Sequence, residues 1–234
     1  MSKYFMKNTP LAGFEVAMML PPLFTNRQCG VIVLNRFHYM KESTNCHDCS
    51  AWRAKCELRN CPWLAEWLEA DNVSYGELLK ECFHDIGERG FQGRLRKLVA
   101  QFQNSLFKNN DHYQRFVHAK NNLRLLYGRT SDYHIATIFL LTADERLWHL
   151  SRKFVTSSAV NFGAIKLCSI DTEGYTLFQM AKTICTGQTK VTVSELADHT
   201  LISDQLLAIL INAILIARLG SSVFLLEHKV LEVK

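Results

Sequence analysis

Cys46, Cys49, Cys56 and Cys61 fall within sixteen residues in the order C-x2-C-x6-C-x4-C. Four thiolates so close in sequence suit a tetrahedral metal. A C-x2-C pair offers two sulfurs from one tight turn, and a second pair from a nearby loop and helix start completes the shell. Cys61 precedes Pro62, a residue favoured at the first helical position, where the helix dipole stabilises a thiolate. The expected ion is a structural Zn2+, because four sulfurs leave no open position for water or substrate. Such sites contribute on the order of 10 kcal/mol of folding free energy. An iron–sulfur cluster is the alternative, since Cys-Pro ends many cluster motifs; His47 replacing one thiolate and free buried thiols are two more. Trp52 and Arg53 flank the cluster as secondary contact candidates. Cys29, Cys82, Cys168 and Cys185 sit among apolar neighbours and read as small buried hydrophobes.

The second chemical signal is charge. Between Arg89 and Arg129 stand nine basic residues and one acid, Asp111, so this segment carries +8 while the rest of the chain carries −3. Arg94, Lys97, Gln101, Asn104 and Lys108 recur at helical spacing opposite a Leu95–Leu106 apolar stripe, which predicts a positive ridge. With Arg96, Arg115, Lys120, Arg124 and Arg129, these cations form a candidate surface for an acidic protein or for nucleic acid. Most charge runs, however, are only solvated helix faces.

No catalytic constellation is present: there is no Walker loop, no dinucleotide-binding glycine motif, no H-E-x-x-H and no G-x-S-x-G. His112, His118 and His134 lie in helical segments without ligand-like spacing. Thr142-x-x-Glu145 reads as a capping box, with Asp144 and Glu145 as first-turn acids. Val193–Ser203 resembles the first helix and turn of a helix-turn-helix, but Leu201 stands where that turn favours glycine. The following helix offers only Gln205 and Asn212 for base reading, so a packed helical hairpin is expected instead.

The elements that must position these residues are mostly helices. Apolar periodicity and caps place helices after Pro62, after the Ser74-x-x-Glu77 capping box, over Leu95–Leu106, from Phe116 to Gly128, over Ser131–Leu141, and after Thr142. Others follow at Tyr175–Cys185, Ser194–His199 and Leu206–Leu219, the last closed by Gly220. Leu206–Leu219 is apolar on all sides and is the expected centre of the core. Gly30–Leu34 and Val223–Val233 have β character, and a minor sheet joining the two ends is expected from them. The fold class is mainly α, with residues 1–72 as an irregular segment bearing the four-cysteine metal lobe and 73–234 as the helical domain.

The 234 residues, 48% of them apolar and 21% charged, with 4 prolines and 11 glycines, are ordinary for a folded chain. Leu11–Phe24 contains Glu15 and Pro21-Pro22, unlike an export signal. Leu206–Leu219 is short for a membrane span at 14 residues and contains Asn212 and Arg218. A cytoplasmic protein without membrane contact is expected, and its eight cysteines then read as ligands and thiols rather than disulfides.

Three stretches stand out: Cys46–Cys56 with Asn60–Leu64, Tyr133–Asp144, and Leu196–Asp198 with Ile216–Gly220, together 36 of the 234 residues. They resemble uncharacterised cysteine-rich accessory proteins of phages and conjugative elements of Firmicutes-type bacteria. The resemblance carries no activity or site residues. It implies a context in which small non-enzymatic proteins bind host machinery, anti-CRISPR inhibitors among them. Residues and resemblance together predict a zinc-stabilised interaction protein whose partner is a bacterial host protein or nucleoprotein complex. Direct DNA or RNA binding is the alternative, and an enzyme with a site formed only in three dimensions is the third.

Overall fold

The computed structural model describes residues 39–44, 46, 56–125 and 130–227, the backbone at 25–27 and 30–32, and the single positions Pro10 and Ala12. In chain order the described elements begin with β1 (Thr25–Arg27) and β2 (Gly30–Ile32), followed by α1 (Leu64–Glu69), α2 (Tyr75–Phe83) and α3 (Arg89–Gln101). Then come α4 (Asn110–Asn122), α5 (Asp132–Ala143), α6 (Glu145–Ser151), α7 (Thr172–Thr186), α8 (Val193–Ala197) and α9 (Asp204–Leu219). A 3-10 helix, Gly220–Leu226, continues from α9.

Two helices form the centre rather than the one expected. α9 buries ten of its residues, and α5 buries the unbroken run from His134 to Ala143. They pack along each other, with α7 and α4 on the other sides of α5. Both are apolar around most of their circumference, the pattern of a core element rather than an amphipathic surface helix. Asp204–Leu226 is long and apolar enough to cross a membrane by length and composition, yet 61% of its apolar window is buried inside the protein. Asn212, the polar interruption in α9, is fully satisfied: it accepts from the Tyr75 hydroxyl at 2.6 Å and donates to the Leu106 carbonyl at 2.8 Å. A buried amide paired in this way avoids the desolvation penalty of an orphan and fixes the register of α9 against α2. The buried hydroxyl of Tyr75 is correspondingly harder to ionise, since burial disfavours the phenolate.

The caps explain where helices start. The Ser74 hydroxyl accepts from the Glu77 N–H, and the Glu77 carboxylate accepts from the Ser74 N–H at 2.7 Å, the reciprocal box expected there. The expected Thr142–Glu145 box is not formed. Thr142 is still inside α5, donating to the Ile138 carbonyl at 2.8 Å, and Asp144 is the true cap of α6, accepting from the Leu147 N–H at 2.7 Å. A second reciprocal box stands at Thr192 and Glu195 and opens α8. Gly220 closes α9 as expected, with φ 75°, and a side chain there would also press on the Asp132 carboxyl, 3.1 Å from a Cβ.

Other boundaries differ from the periodic reading. The helix after Pro62 begins at Leu64, with Pro62 in the preceding turn. α3 stops at Gln101, because Phe102 turns extended to stack on Tyr75 at 3.9 Å and Asn104 adopts φ 56°. α4 ends at Asn122, with Arg124 left-handed at φ 51°. The β character of Gly30–Ile32 is met locally, by antiparallel pairing with Thr25–Arg27. Val223–Leu226 is 3-10 helix rather than strand, its Val223 and Leu226 turned into the core; residues 228–233 lie outside the described set. Leu64, Leu68 and Val73 join one apolar core with the later helices, so packing runs continuously across the expected 72/73 boundary.

Candidate cationic interface and cysteine cluster

Of the four candidate metal ligands, Cys46 and Cys56 are exposed and Cys61 is half-buried, packed against the core; Cys49 lies outside the described residues, as do His47, Trp52 and Arg53. Cys56 and Cys61 flank a 3-10 turn, Leu58–Asn60, closed by the Cys61 N–H donating to the Leu58 carbonyl at 3.0 Å. Among the described residues no three Cys, His, Asp or Glu side chains converge on a common point. The donor chemistry suits zinc, since soft thiolates select it. Elsewhere Cys82 is buried as expected, its thiol pushed up by burial, whereas Cys168 and Cys185 are exposed.

The basic stretch divides into cations that hold the fold and cations that face solvent. Arg94 does not lie on a ridge. It shares the buried stripe of α3 with Phe91, Leu95 and Leu98, at spacings of i, i+3, i+4 and i+7. Its guanidinium donates to the carbonyls of Leu196 at 2.8 Å, Asp198 at 3.2 Å and Ile202 at 2.6 Å, and to the Asp204 carboxylate at 3.0 Å. These carbonyls belong to the end of α8 and its turn into α9, where a cation also meets the negative end of the helix dipole. Arg94 thus closes the turn that lacks its usual glycine, and only its Nε is left without a partner. The hairpin reading of this segment agrees with the burial of α9.

Lys97 pairs with the other oxygen of Asp204. Lys97 and then Arg94 hold that carboxyl below the usual carboxylate range. Lys108 reaches Glu173 at 3.2 Å. Arg115 donates to the Thr142 carbonyl at 2.9 Å and the Ala143 carbonyl at 3.4 Å, capping the end of α5. Arg96 and Arg124 are exposed, Lys120 is half-buried, and Arg129 lies outside the described residues. Since α3 ends at Gln101, the Arg94-to-Lys108 series is not one helical ridge. The solvent side of α3 instead carries Arg89, Arg96 and Lys97, and the helix contains no acid.

His112 and His134 are structural, whereas His118 is exposed. His112 is fully buried; its Nδ1 accepts from the Lys108 N–H at 3.1 Å, and its Nε2 donates to the Phe139 carbonyl at 2.9 Å. Burial pushes its pKa down to about 3, so the ring is neutral. His134 is likewise lowered by burial, its Nε2 2.9 Å from the Thr156 carbonyl.

A second cationic site was missed from sequence. Beside α6 a cleft of about 500 Å3 is lined by Arg115, Glu145, Arg146, Trp148, His149, Leu150, Arg152, Cys168 and Ser169. Leu147 and the buried Ser151, whose hydroxyl donates to the Leu147 carbonyl at 2.8 Å, turn one side of α6 into the core. Arg146, His149 and Arg152 are thereby left exposed on the other side. The Arg146 guanidinium is anchored on the Ser169 carbonyl at 3.2 Å. The i, i+3, i+6 recurrence of Arg146, His149 and Arg152 was readable in the sequence; the arrival of Arg115 from α4 was not.

No protein-family model matches the chain, and neither any curated protein nor any solved structure matches it.

Proposed function

We propose that this chain is a non-enzymatic interaction protein that engages a bacterial host nucleoprotein complex through the basic solvent side of α3, in the manner of an anti-defence inhibitor. A structural zinc ion on Cys46, Cys49, Cys56 and Cys61 stabilises the segment before α1. The observation that carries the reading is the one-sided construction of α3. Phe91, Leu95 and Leu98 are buried, Arg94 is locked inward, and Arg89, Arg96 and Lys97 face solvent with no acid in the helix. A cationic surface of this kind accelerates encounter with a polyanion or an acidic partner face and selects against basic ones.

The test substitutes cations that have no structural duty. Arg89→Glu with Arg96→Glu should abolish recovery of a specific host complex from bacterial lysate while leaving the melting temperature unchanged; undiminished recovery sinks the reading. Binding to random duplex that falls steeply with salt, and that disappears in the same variant, would assign direct nucleic-acid binding instead. Elemental analysis should return one zinc per chain, lost on Cys56→Ser, and a brown chromophore would assign an iron–sulfur cluster in its place.

A further inference from the structure

We propose that the cleft beside α6 is a nucleotide-binding site, taking a phosphate on Arg115, Arg146 and Arg152 and an aromatic base against Trp148. The site is separate from the α3 surface and does not depend on what that surface meets. At about 500 Å3 the cleft falls inside the range of roughly 300–1,000 Å3 typical of small-ligand pockets. Its three arginines come from α4, from α6 and from the turn that follows α6, and all three line one space, which a scattered solvated charge run does not do.

Two of these heads are already oriented. Arg115 rests on the carbonyls of Thr142 and Ala143, and Arg146 on that of Ser169. A guanidinium carries five N–H donors, so each anchored head keeps most of its donors for an anion. Anchoring also lowers the ordering cost of binding. Planar forks of this kind match phosphate oxygens two at a time. Trp148, half-buried and packed against the core, adds an indole to the same lining, and stacking on an aromatic face suits any nucleobase. Glu145, the single acid among the lining residues, offers an acceptor to a sugar hydroxyl and is unsuited to bare phosphate. Phosphate donors, an aromatic surface and one sugar acceptor together describe a nucleotide, either free or as the 5′-phosphorylated end of a strand.

Calorimetry on the full chain tests this with AMP, adenosine, inorganic phosphate, phosphoserine, and a short DNA strand with and without a 5′-phosphate. AMP is expected to bind, with adenosine, phosphate and phosphoserine each weaker by about tenfold or more. Arg146→Glu and Arg152→Glu should each weaken AMP by about tenfold or more, since each reverses a charge at the phosphate. The Arg152 side chain makes no hydrogen bond into the fold among the described residues, so its variant decides should Arg146→Glu lower the melting temperature. Trp148→Leu should weaken AMP and leave phosphate unchanged. Arg96→Glu should leave AMP binding intact, so failure of the cleft and failure of the α3 reading are distinguishable. Tighter binding of AMP than of the phosphorylated strand identifies a free nucleotide, and the reverse order a strand end; both uphold the site. Absence of AMP binding at millimolar concentration, indifference to both charge reversals, or phosphate or phosphoserine binding as well as AMP overturns it.

Discussion

α3 and α6 are both basic helices, yet they use their cations in opposite ways. α3 has four cations and no acid over thirteen residues. Its central cation, Arg94, is buried under four hydrogen bonds, and Lys97 is paired with Asp204. α6 is only seven residues long and begins with an acid, but Arg146 and the following Arg152 line a cleft to which Arg115 also contributes. Charge density along a sequence therefore overstates the cationic surface of α3 and understates that of α6. What decides is whether a cation falls on the same stripe as the apolar residues. Arg94 does, between Phe91 and Leu98; Arg146 and Arg152 fall opposite Leu147 and Ser151.

The largest expected effect breaks or upholds this contrast directly. Arg94→Ala leaves the carbonyls of Leu196, Asp198 and Ile202 without their donor and opens a void beside Phe91. Losing partners to several buried groups should destabilise the fold by about 3–5 kcal/mol. Arg152→Ala, in the cleft, should change stability by less than about 0.5 kcal/mol, as surface substitutions do. Urea denaturation of the two variants side by side gives the measurement. Equal losses would mean that Arg94 is not the anchor its hydrogen bonds describe.

The sequence carried the local part of this arrangement and not the long-range part. Helix existence, the Ser74 box and the Gly220 stop follow from interactions within a turn or two, and all are in the structure. The stripe of Phe91, Arg94, Leu95 and Leu98 was also readable, had Arg94 been allowed onto the apolar face. Its partners were not: Leu196, Ile202 and Asp204 stand more than a hundred residues away. Periodicity shows which side of a helix is buried but not what meets it there. The end of α3 at Gln101 had the same cause, since Phe102 leaves the helix to reach Tyr75. At the Thr142–Glu145 motif two caps competed, and Asp144 prevailed because Thr142 was already enclosed in α5. For the candidate sites, the cysteine spacing was local and legible, whereas the α6 cleft needed the approach of α4.

Acid should weaken the fold through α4, the helix that places Arg115 in the cleft. His112 on that helix is neutral when folded, its pKa pushed down to about 3 by burial, with Arg115 and Lys108 opposing its protonation to a smaller degree. The unfolded chain takes up that proton near the ordinary histidine value of 6.5. The lowered group therefore contributes fully above pH 6.5, and its contribution is lost as pH falls from there toward 3. The slope is about 1.4 kcal/mol per pH unit, so His112 alone should remove about 2 kcal/mol between about pH 6.5 and about pH 5. Denaturant midpoints over this range should fall in the native protein and fall less in His112→Gln. A flat profile in the native protein would mean that the imidazole is not sealed from water, and with it that α4 does not hold Arg115 rigidly.

The smallest effect separates the two kinds of cation within α3 itself. Lys97 and Arg94 share Asp204, but the lysine side chain is 57% exposed and the arginine 9%. An exposed pair is screened by water and must order a long side chain, so Lys97→Ala should destabilise by only about 0.5 kcal/mol at low salt. At about 1 M salt, where the screening length is about 3 Å, even that difference should vanish. Arg94→Ala should keep most of its effect at either salt, because three of its four bonds are to backbone carbonyls. Asp204 responds in the same sense to acid: a carboxyl held below its usual range contributes above the ordinary carboxylate pKa and loses that contribution as pH falls through its own. Lys97→Ala should raise that lower limit only in part, since the Arg94 guanidinium remains 3.0 Å away. A salt-insensitive loss at Lys97 as large as that at Arg94 would show that exposure does not distinguish anchoring from surface cations in this helix, and the proposed division between the α3 surface and the α6 cleft would lose its physical basis.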